Sequence, residues 1–367
     1  MNIQINEKTI QLFYKDKIVY FRTMNFLRKI VLPLALLYKG ITSFRNFLYN
    51  KGFFKSYSFD LPVIVVGNLS VGGTGKTPQI EYLIRLLSDK YKIATLSRGY
   101  KRKSNGYILA DANANATLIG DEPFQFYSKF PNIQVAVDAN RKNGIEQLLS
   151  QTSKPEVILL DDAFQHRKVK AGFYILLTAY NDLYSDDFQL PTGNLREGKS
   201  GAKRANVIVV TKCPYDLSKE SRNEITNKLD IESNQQLFFT TIAYDDFVYS
   251  EYGKRSVSEI ENVDKLLLAG IAKPQSFFRY LHSGNELCLT FPDHHHFTEK
   301  DILDIKNKAN NNIIITTEKD YVRLKGRIPK EQLYYLPIQS KFLFEEENFD
   351  KIITNYVESG TRNSKLY

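Results

Sequence analysis

The feature that most constrains this chain is a glycine-rich octapeptide, Ser70-Val71-Gly72-Gly73-Thr74-Gly75-Lys76-Thr77, set between a short apolar run and a helical pattern. Glycines let backbone N–H groups turn inward and approach phosphate oxygens with no Cβ in the way. Lys76 adds a positive charge for the β/γ-phosphates, and the Thr77 hydroxyl is placed to join a Mg²⁺ shell. The usual phosphate-loop pattern opens with Gly, where this chain has Ser70. A glycine turn without function is the alternative, but Gly-x-Gly-Lys-Thr directly after a buried strand favours phosphate binding. All eight residues are therefore candidate nucleotide ligands.

The surrounding pattern is alternating strand and helix. Leu61–Val66 is a continuous apolar run of the kind a buried parallel strand needs, and Thr77–Asp89 reads as a helix. Further strands are expected at Lys92–Ser97, Ile133–Val137, Val157–Leu160, Tyr174–Thr178 and Val207–Val210. Beyond a polar stretch the alternation resumes, with strands at Leu266–Ala269, Leu287–Thr290 and Ile313–Thr316 and helices near 275–283 and 298–309. This predicts an α/β fold: a P-loop NTPase-type parallel sheet with helices on both faces, and a second, smaller α/β domain. The expected division is 56–212 for the core and 213–367 for the second domain.

Charge is concentrated at one end. Of 50 Lys and Arg and 41 Asp and Glu, ten basic but only two acidic residues fall between Met1 and Lys55, and the remainder is nearly balanced. A basic groove running over the whole body is thereby disfavoured, and no nucleic-acid partner is expected. Within this basic end, Leu27, Ile30, Val31, Leu34, Leu37, Tyr38, Ile41, Phe44 and Leu48 recur at helical spacing, with Arg28, Lys39 and Asn46 on the opposite side. Residues 24–55 are read as an amphipathic helix suited to the interfacial plane of an anionic membrane, the alternative being an ordinary helix packed on the domain. The run is too short and interrupted to span a bilayer. Two cysteines, Cys213 and Cys288, fit a reducing compartment and provide neither a disulfide framework nor a zinc site.

The strand Val157–Leu160 ends in Asp161-Asp162. Acidic residues at the carboxyl end of a parallel strand beside a phosphate loop can hold Mg²⁺ directly or through water, although a solvated strand end would look the same. On residues alone, the chain is a P-loop nucleotide hydrolase or kinase of unknown acceptor.

Several further motifs make the chain resemble one family, the tetraacyldisaccharide 4′-kinases of lipid A biosynthesis. They are Val66-Gly67-Asn68-Leu69-Ser70, Ser97-Arg98-Gly99-Tyr100, Gly120-Asp121-Glu122-Pro123, Asp161-Asp162-Ala163-Phe164-Gln165-His166 and Leu190-Pro191-Thr192-Gly193-Asn194-Leu195-Arg196-Glu197. Gly270-Ile271-Ala272, Phe291-Pro292-Asp293-His294-His295 and Thr317-Glu318-Lys319-Asp320 continue the match toward the C-terminus. Ser70 in place of the first loop glycine is itself typical of that family, whereas Gly198 stands where Pro is common.

The resemblance implies ATP-dependent phosphorylation of the 4′-hydroxyl of a tetraacyldisaccharide 1-phosphate, forming lipid IVA at the cytoplasmic face of an inner membrane, with no obligate protein partner. It implies Asp121 and His294 as a paired acid–base group on that hydroxyl, with Lys76 acting on the transferring phosphate. Thr77, Asp161, Asp162 and Glu197 become the Mg²⁺ candidates, and Arg141 a contact to the lipid's phosphate or sugar. Read without the resemblance, Asp121 is a turn residue and His294 part of a solvated loop. The competing function is a peripheral membrane P-loop ATPase acting as a switch or positioning factor. A GTPase is weakened by the lack of Asn-Lys-x-Asp, of which Thr211-Lys212-Cys213-Pro214 is only a partial echo. Residues 1–23 carry no family motif and are expected to lie outside the working enzyme, which would begin at Met24.

Overall fold

The structure, a computed structural model, describes residues 31–284, 286–293 and 295–364. The expectations for residues 1–23 and for a helix beginning at Met24 lie outside the described residues.

Along the chain the first eight strands are β1 (Val63–Asn68), β2 (Ile93–Ser97), β3 (Ile108–Leu109), β4 (Gln134–Val137), β5 (Val157–Asp161), β6 (Phe173–Ala179), β7 (Val207–Thr211) and β8 (Gln236–Tyr244). They are followed by β9 (Phe247–Ser250), β10 (Gly253–Ser256), β11 (Lys265–Ala269), β12 (Glu286–Thr290), β13 (Ile313–Thr317), β14 (Leu333–Leu336) and β15 (Ile338–Phe342). One sheet has nine strands in the order β15-β8-β7-β6-β1-β5-β2-β4-β3, parallel from β8 to β4 and closed at each edge by an antiparallel strand. Its centre is β1, buried along its whole length between β5 and β6. That neighbourhood sets the site. Val66 pairs with Asp161, so the acidic end of β5 lies beside the start of the phosphate loop.

Both faces of the sheet are covered, as the apolar parallel strands require. The helix Lys76–Leu87 buries Ile80, Leu83, Ile84 and Leu87 on one face, and the helix Arg141–Leu149 buries Ile145 and Leu148 on the other.

The expected division at 212/213 is corrected by the topology. β8 and β15 both belong to the first sheet, and the C-terminal helix Glu346–Ser364 buries Phe349, Ile353 and Val357 against it. The second unit is therefore an insertion between β8 and β15, built on a six-stranded sheet of order β10-β9-β14-β13-β11-β12. Two short crossings, tied by Asp245 N–H donating to Pro337 O at 3.1 Å, join it to the core.

The helix Leu32–Asn50 begins with Pro33 in its first turn, where a missing N–H costs no hydrogen bond. Its orientation is unusual for a helix resting on a protein. Leu36, Leu37, Ile41 and Phe44 are each at least 60 % exposed, while Ala35 and Thr42 are buried against the core. Tyr38 and Asn46, expected on opposite sides, both lie on the protein-facing stripe. Among the described residues no helix is long and apolar enough to cross a membrane.

Candidate active site

The phosphate loop leaves β1 at Asn68 and enters its helix at Lys76. Gly72 (φ 110°) and Gly75 (φ 84°) adopt left-handed backbone that side chains resist, which explains two of the loop's glycines. Neighbouring elements hold the loop from three sides. Asn68 Nδ2 donates to Thr74 Oγ1, and Thr211 Oγ1 at the end of β7 donates to Thr74 O, each at 2.8 Å. Lys212 Nζ reaches Gly73 O at 2.5 Å. From a third direction, Val71 N–H donates to Asn194 O (2.8 Å) and Arg196 N–H to Leu69 O (2.7 Å), so the Leu-Arg-Glu segment forms a brace along the loop.

Lys76 and Thr77 are the first two residues of the helix, and both are largely buried. Lys76 Nζ lies 3.6 Å from Asp162 Oδ1. The Arg196 guanidinium grips both Asp162 oxygens at 3.0 and 2.8 Å. Burial alone would raise the Asp162 carboxyl, but Lys76 and Arg196 outweigh it and hold it below the usual range.

Asp161 behaves differently. Burial, with Glu122 and Asp162 nearby, pushes its carboxyl well above the usual range despite Lys76 and Arg141. Ser97 Oγ donates to Asp161 Oδ2 at 3.2 Å, while Oδ1 is buried with no hydrogen-bond partner. An orphaned buried carboxylate oxygen beside a phosphate loop and a threonine hydroxyl fits a hard divalent cation. Among the described residues no cluster of three or more His, Cys, Asp or Glu could hold a metal by itself. Mg²⁺ seldom needs one, since it binds through one or two carboxylates plus phosphate and water.

Two expected site residues have other employment. Glu197 is fully buried, and its carboxylate accepts from Arg204 (2.7 Å), Gln165 (3.0 Å) and Asn46 (2.9 Å). Completely buried and held by three donors, Glu197 anchors the Leu-Arg-Glu segment, whereas Asp162, though held by Arg196 and Lys76, keeps 31% of its side chain exposed, so the Mg²⁺ assignment of Glu197 is corrected to an anchoring one. Arg141 is 2 % exposed and donates to Asp138 O (2.8 Å) and Asp161 O (3.1 Å). Burial lowers its guanidinium to about 10. Arg141 faces the acidic strand end from within, so its expected contact with the lipid is corrected to a countercharge behind Asp161.

Asp121 opens the helix Asp121–Lys129, and its Oδ2 accepts from Nε of Arg323 (3.2 Å) and from that guanidinium's NH2. Glu122 beside it accepts from Lys319 Nζ at 2.9 Å. Both cations come from the helix Glu318–Leu324 of the second unit, so the acidic start of one helix meets the basic flank of the other. His294 lies outside the described residues. Its neighbour His295 sits with Nε2 3.0 Å from Asp301 Oδ2, in the capping box of the helix Glu299–Ala309.

Spacing did not single out Glu122, Arg196, Thr211, Lys319 or Arg323. All but Thr211 and Arg323 lie within the quoted family motifs, which were the available signal.

Residues 27–358 match the family model described as tetraacyldisaccharide-1-P 4′-kinase. A tetraacyldisaccharide 4′-kinase of Flavobacterium johnsoniae is 67% identical over 337 residues, spanning 92% of this chain and 99% of that protein. One from Bacteroides thetaiotaomicron is 44% identical over 364 residues, spanning 93% and 96%. Among solved structures, LpxK from Aquifex aeolicus in complex with ATP is similar with a TM-score of 0.75 and 31% identity, over 90% of this chain and 99% of that one.

Proposed function

Given that the chain belongs to the tetraacyldisaccharide 4′-kinase family, we propose a division of labour among its residues for moving the γ-phosphate of ATP to the 4′-hydroxyl of tetraacyldisaccharide 1-phosphate. That reaction forms lipid IVA in lipid A biosynthesis, and it separates this chain from the P-loop ATPase switches that share its phosphate loop. Phosphoryl transfer asks a protein mainly for positioning and charge neutralisation. Loop N–H groups between Ser70 and Gly75 cradle the phosphates, and Lys76 neutralises charge on the transferring group. Thr77, Asp161 and Asp162 would hold Mg²⁺, which when bound supplies positive charge to the phosphate oxygens. Asp121 receives the proton of the 4′-hydroxyl together with His294, and the Arg323 guanidinium orients the Asp121 carboxylate. The observation that carries this reading is convergence: phosphate loop and acidic strand end lie side by side at the carboxyl ends of the central strands β1 and β5, with the acidic start of the 121–129 helix near enough for Glu122 to act on Asp161.

The acceptor is a lipid, and the helix Leu32–Asn50 supports work at an interface. A helix on a water-soluble protein ordinarily buries its apolar stripe. This one turns Leu36, Leu37, Ile41 and Phe44 outward, next to a strongly basic N-terminal stretch. Docking in the plane of an anionic bilayer, on the cytoplasmic face of an inner membrane, accounts for both.

The test is kinetic. Asp121→Ala and His294→Ala should each lower turnover strongly while leaving ATP affinity near the parent's; melting temperature should hold for His294→Ala and fall for Asp121→Ala, which takes a carboxylate from the largely buried Arg323. Groups acting as a unit are non-additive, so the double variant should be little worse than the worse single one. Strictly multiplicative losses would refute the pairing.

A further inference from the structure

The helix that turns its apolar side outward uses its inner side in a specific way. Tyr38, Thr42 and Asn46, spaced by four residues, form one polar stripe against the segment Gln189–Glu197. Tyr38 Oη donates to Arg196 O at 2.8 Å, Gln189 Nε2 to Thr42 Oγ1 at 3.1 Å, and Asn46 Nδ2 to Glu197 Oε2 at 2.9 Å. The outer two contacts fall on consecutive residues, and each of those residues reaches the phosphate site. Arg196 donates its N–H to Leu69 O and its guanidinium to both Asp162 oxygens. Glu197 holds Gln165, whose amide nitrogen is shared between Glu197 Oε1 (3.0 Å) and Asn68 O (2.8 Å), the last carbonyl of β1 before the loop. Two hydrogen-bonded paths of two or three links therefore run from the helix to the phosphate loop and the acidic strand end.

We propose that Tyr38 and Asn46 are positioning residues for phosphoryl transfer, acting through Arg196 and Glu197. By fixing these two residues, the helix sets where the Asp162 carboxylate and the Asn68–Ser70 backbone stand. Loading of the helix and geometry at the transferring phosphate are thereby coupled. The function of the helix is not exhausted by attachment: a variant that still binds membranes but has lost these contacts transfers phosphate more slowly. Glu197 is the centre of the arrangement. Fully buried, it is held on three sides by Asn46, Gln165 and Arg204. Removing Asn46 frees one oxygen inside the protein, and the segment can relieve that only by moving. The proposal rests on the phosphate site assigned above.

The experiment uses the full chain in mixed micelles with tetraacyldisaccharide 1-phosphate, comparing Tyr38→Phe, Asn46→Ala, their double variant, Asn46→Asp and Lys76→Ala. Four quantities are read: kcat, KM for ATP, flotation with anionic phosphatidylglycerol vesicles, and melting temperature. Each single variant should lower kcat about threefold and the double variant about tenfold, the scale of one or two hydrogen bonds of ordinary net strength. Flotation and KM for ATP should stay at parental values, and each variant's melting curve should show it folded at the assay temperature. Asn46→Asp should be worse than Asn46→Ala, because it sets a second carboxylate against buried Glu197. If Lys76→Ala is inactive and the double variant keeps parental kcat, the proposal falls alone. A kcat loss in the double variant matched by an equal loss of flotation would also overturn it, since attachment would then explain the effect. If Lys76→Ala keeps its activity, the phosphate-site reading falls and takes this proposal with it.

Discussion

Lys129→Met probes how the second unit is seated on the core. Lys129 Nζ lies 2.7 Å from a carboxylate oxygen of Glu81 and 2.7 Å from one of Glu318, whose side chains are 1% and 7% exposed. Glu81 stands on the helix that opens with Lys76, Lys129 ends the helix that opens with Asp121, and Glu318 begins the second unit's facing helix. One ammonium thus joins the three elements that carry the chemistry. Removing it leaves two buried carboxylates without their shared cation, a loss of about 3–5 kcal/mol when both stay charged. Glu318 limits the loss by keeping a proton. Burial and the charge of Glu81 already push its carboxyl up to about 7 with Lys129 present, and without Lys129 the rise is larger. A carboxyl whose folded pKa lies above its unfolded value makes the folded state lose stability as pH rises between those two values. The variant's deficit should therefore grow from pH 6 to pH 8. At roughly 2 °C per kcal/mol for a protein of this size, the both-charged loss caps the fall in melting at about 6–10 °C; proton uptake by Glu318 keeps the deficit at pH 8 below that cap and the deficit at pH 6 smaller still. Circular dichroism melts at the two pH values measure this directly. Lys129→Met/Glu318→Gln should regain most of the loss at pH 8. A deficit under about 2 °C at pH 8, or one equal at both pH values, would refute the reasoning.

Three further outcomes are expected. Asp161→Asn removes a buried carboxylate that burial already disfavours, so the variant should melt at or above the parental temperature while transfer falls by about two orders of magnitude or more, the scale of a lost electrostatic contact to the reacting group; parental turnover would exclude Asp161 from the site. His166 is held at about 4 by burial and by Arg141, so it stabilises the fold above its ordinary value near 6.5, and that stabilisation is lost as pH falls from about 6.5 to 4; His166→Gln should therefore show a smaller fall in melting temperature between pH 7 and pH 5 than the parent. Leu37→Glu/Phe44→Glu places two charges on the outward face of the first helix and should abolish flotation with anionic vesicles at unchanged melting temperature, and retained flotation would exclude this face as the membrane contact.

Local constraints were legible in the sequence, and non-local ones were not. The phosphate loop could be read because glycine conformation, strand and helix are all encoded within about fifteen residues, and the parallel strands because burial on both faces demands continuous apolar runs. The division of the chain could not. Nothing near residue 212 announces that β15, some hundred residues after β8, returns to pair with it, or that Phe349, Ile353 and Val357 belong to the first core. Periodicity marked residues 24–55 as an amphipathic helix but did not reveal how the Leu32–Asn50 helix is turned, because Tyr38 reads as apolar while its hydroxyl is what seats the helix. Glu197 and Arg141 show a further limit. A charged residue beside a motif looks like a ligand until burial and partners are known, and these two are occupied by Arg204, Asn46 and Gln165 and by the carbonyls of Asp138 and Asp161.

The most direct test of the account follows label from γ-³²P-ATP into tetraacyldisaccharide 1-phosphate in detergent micelles, with the parent and Lys76→Ala run side by side. The parent should place the label on the lipid at its 4′-position, and Lys76→Ala should lose transfer by several orders of magnitude while remaining folded. Label released only as inorganic phosphate by the parent, or transfer to lipid sustained by Lys76→Ala, would contradict it.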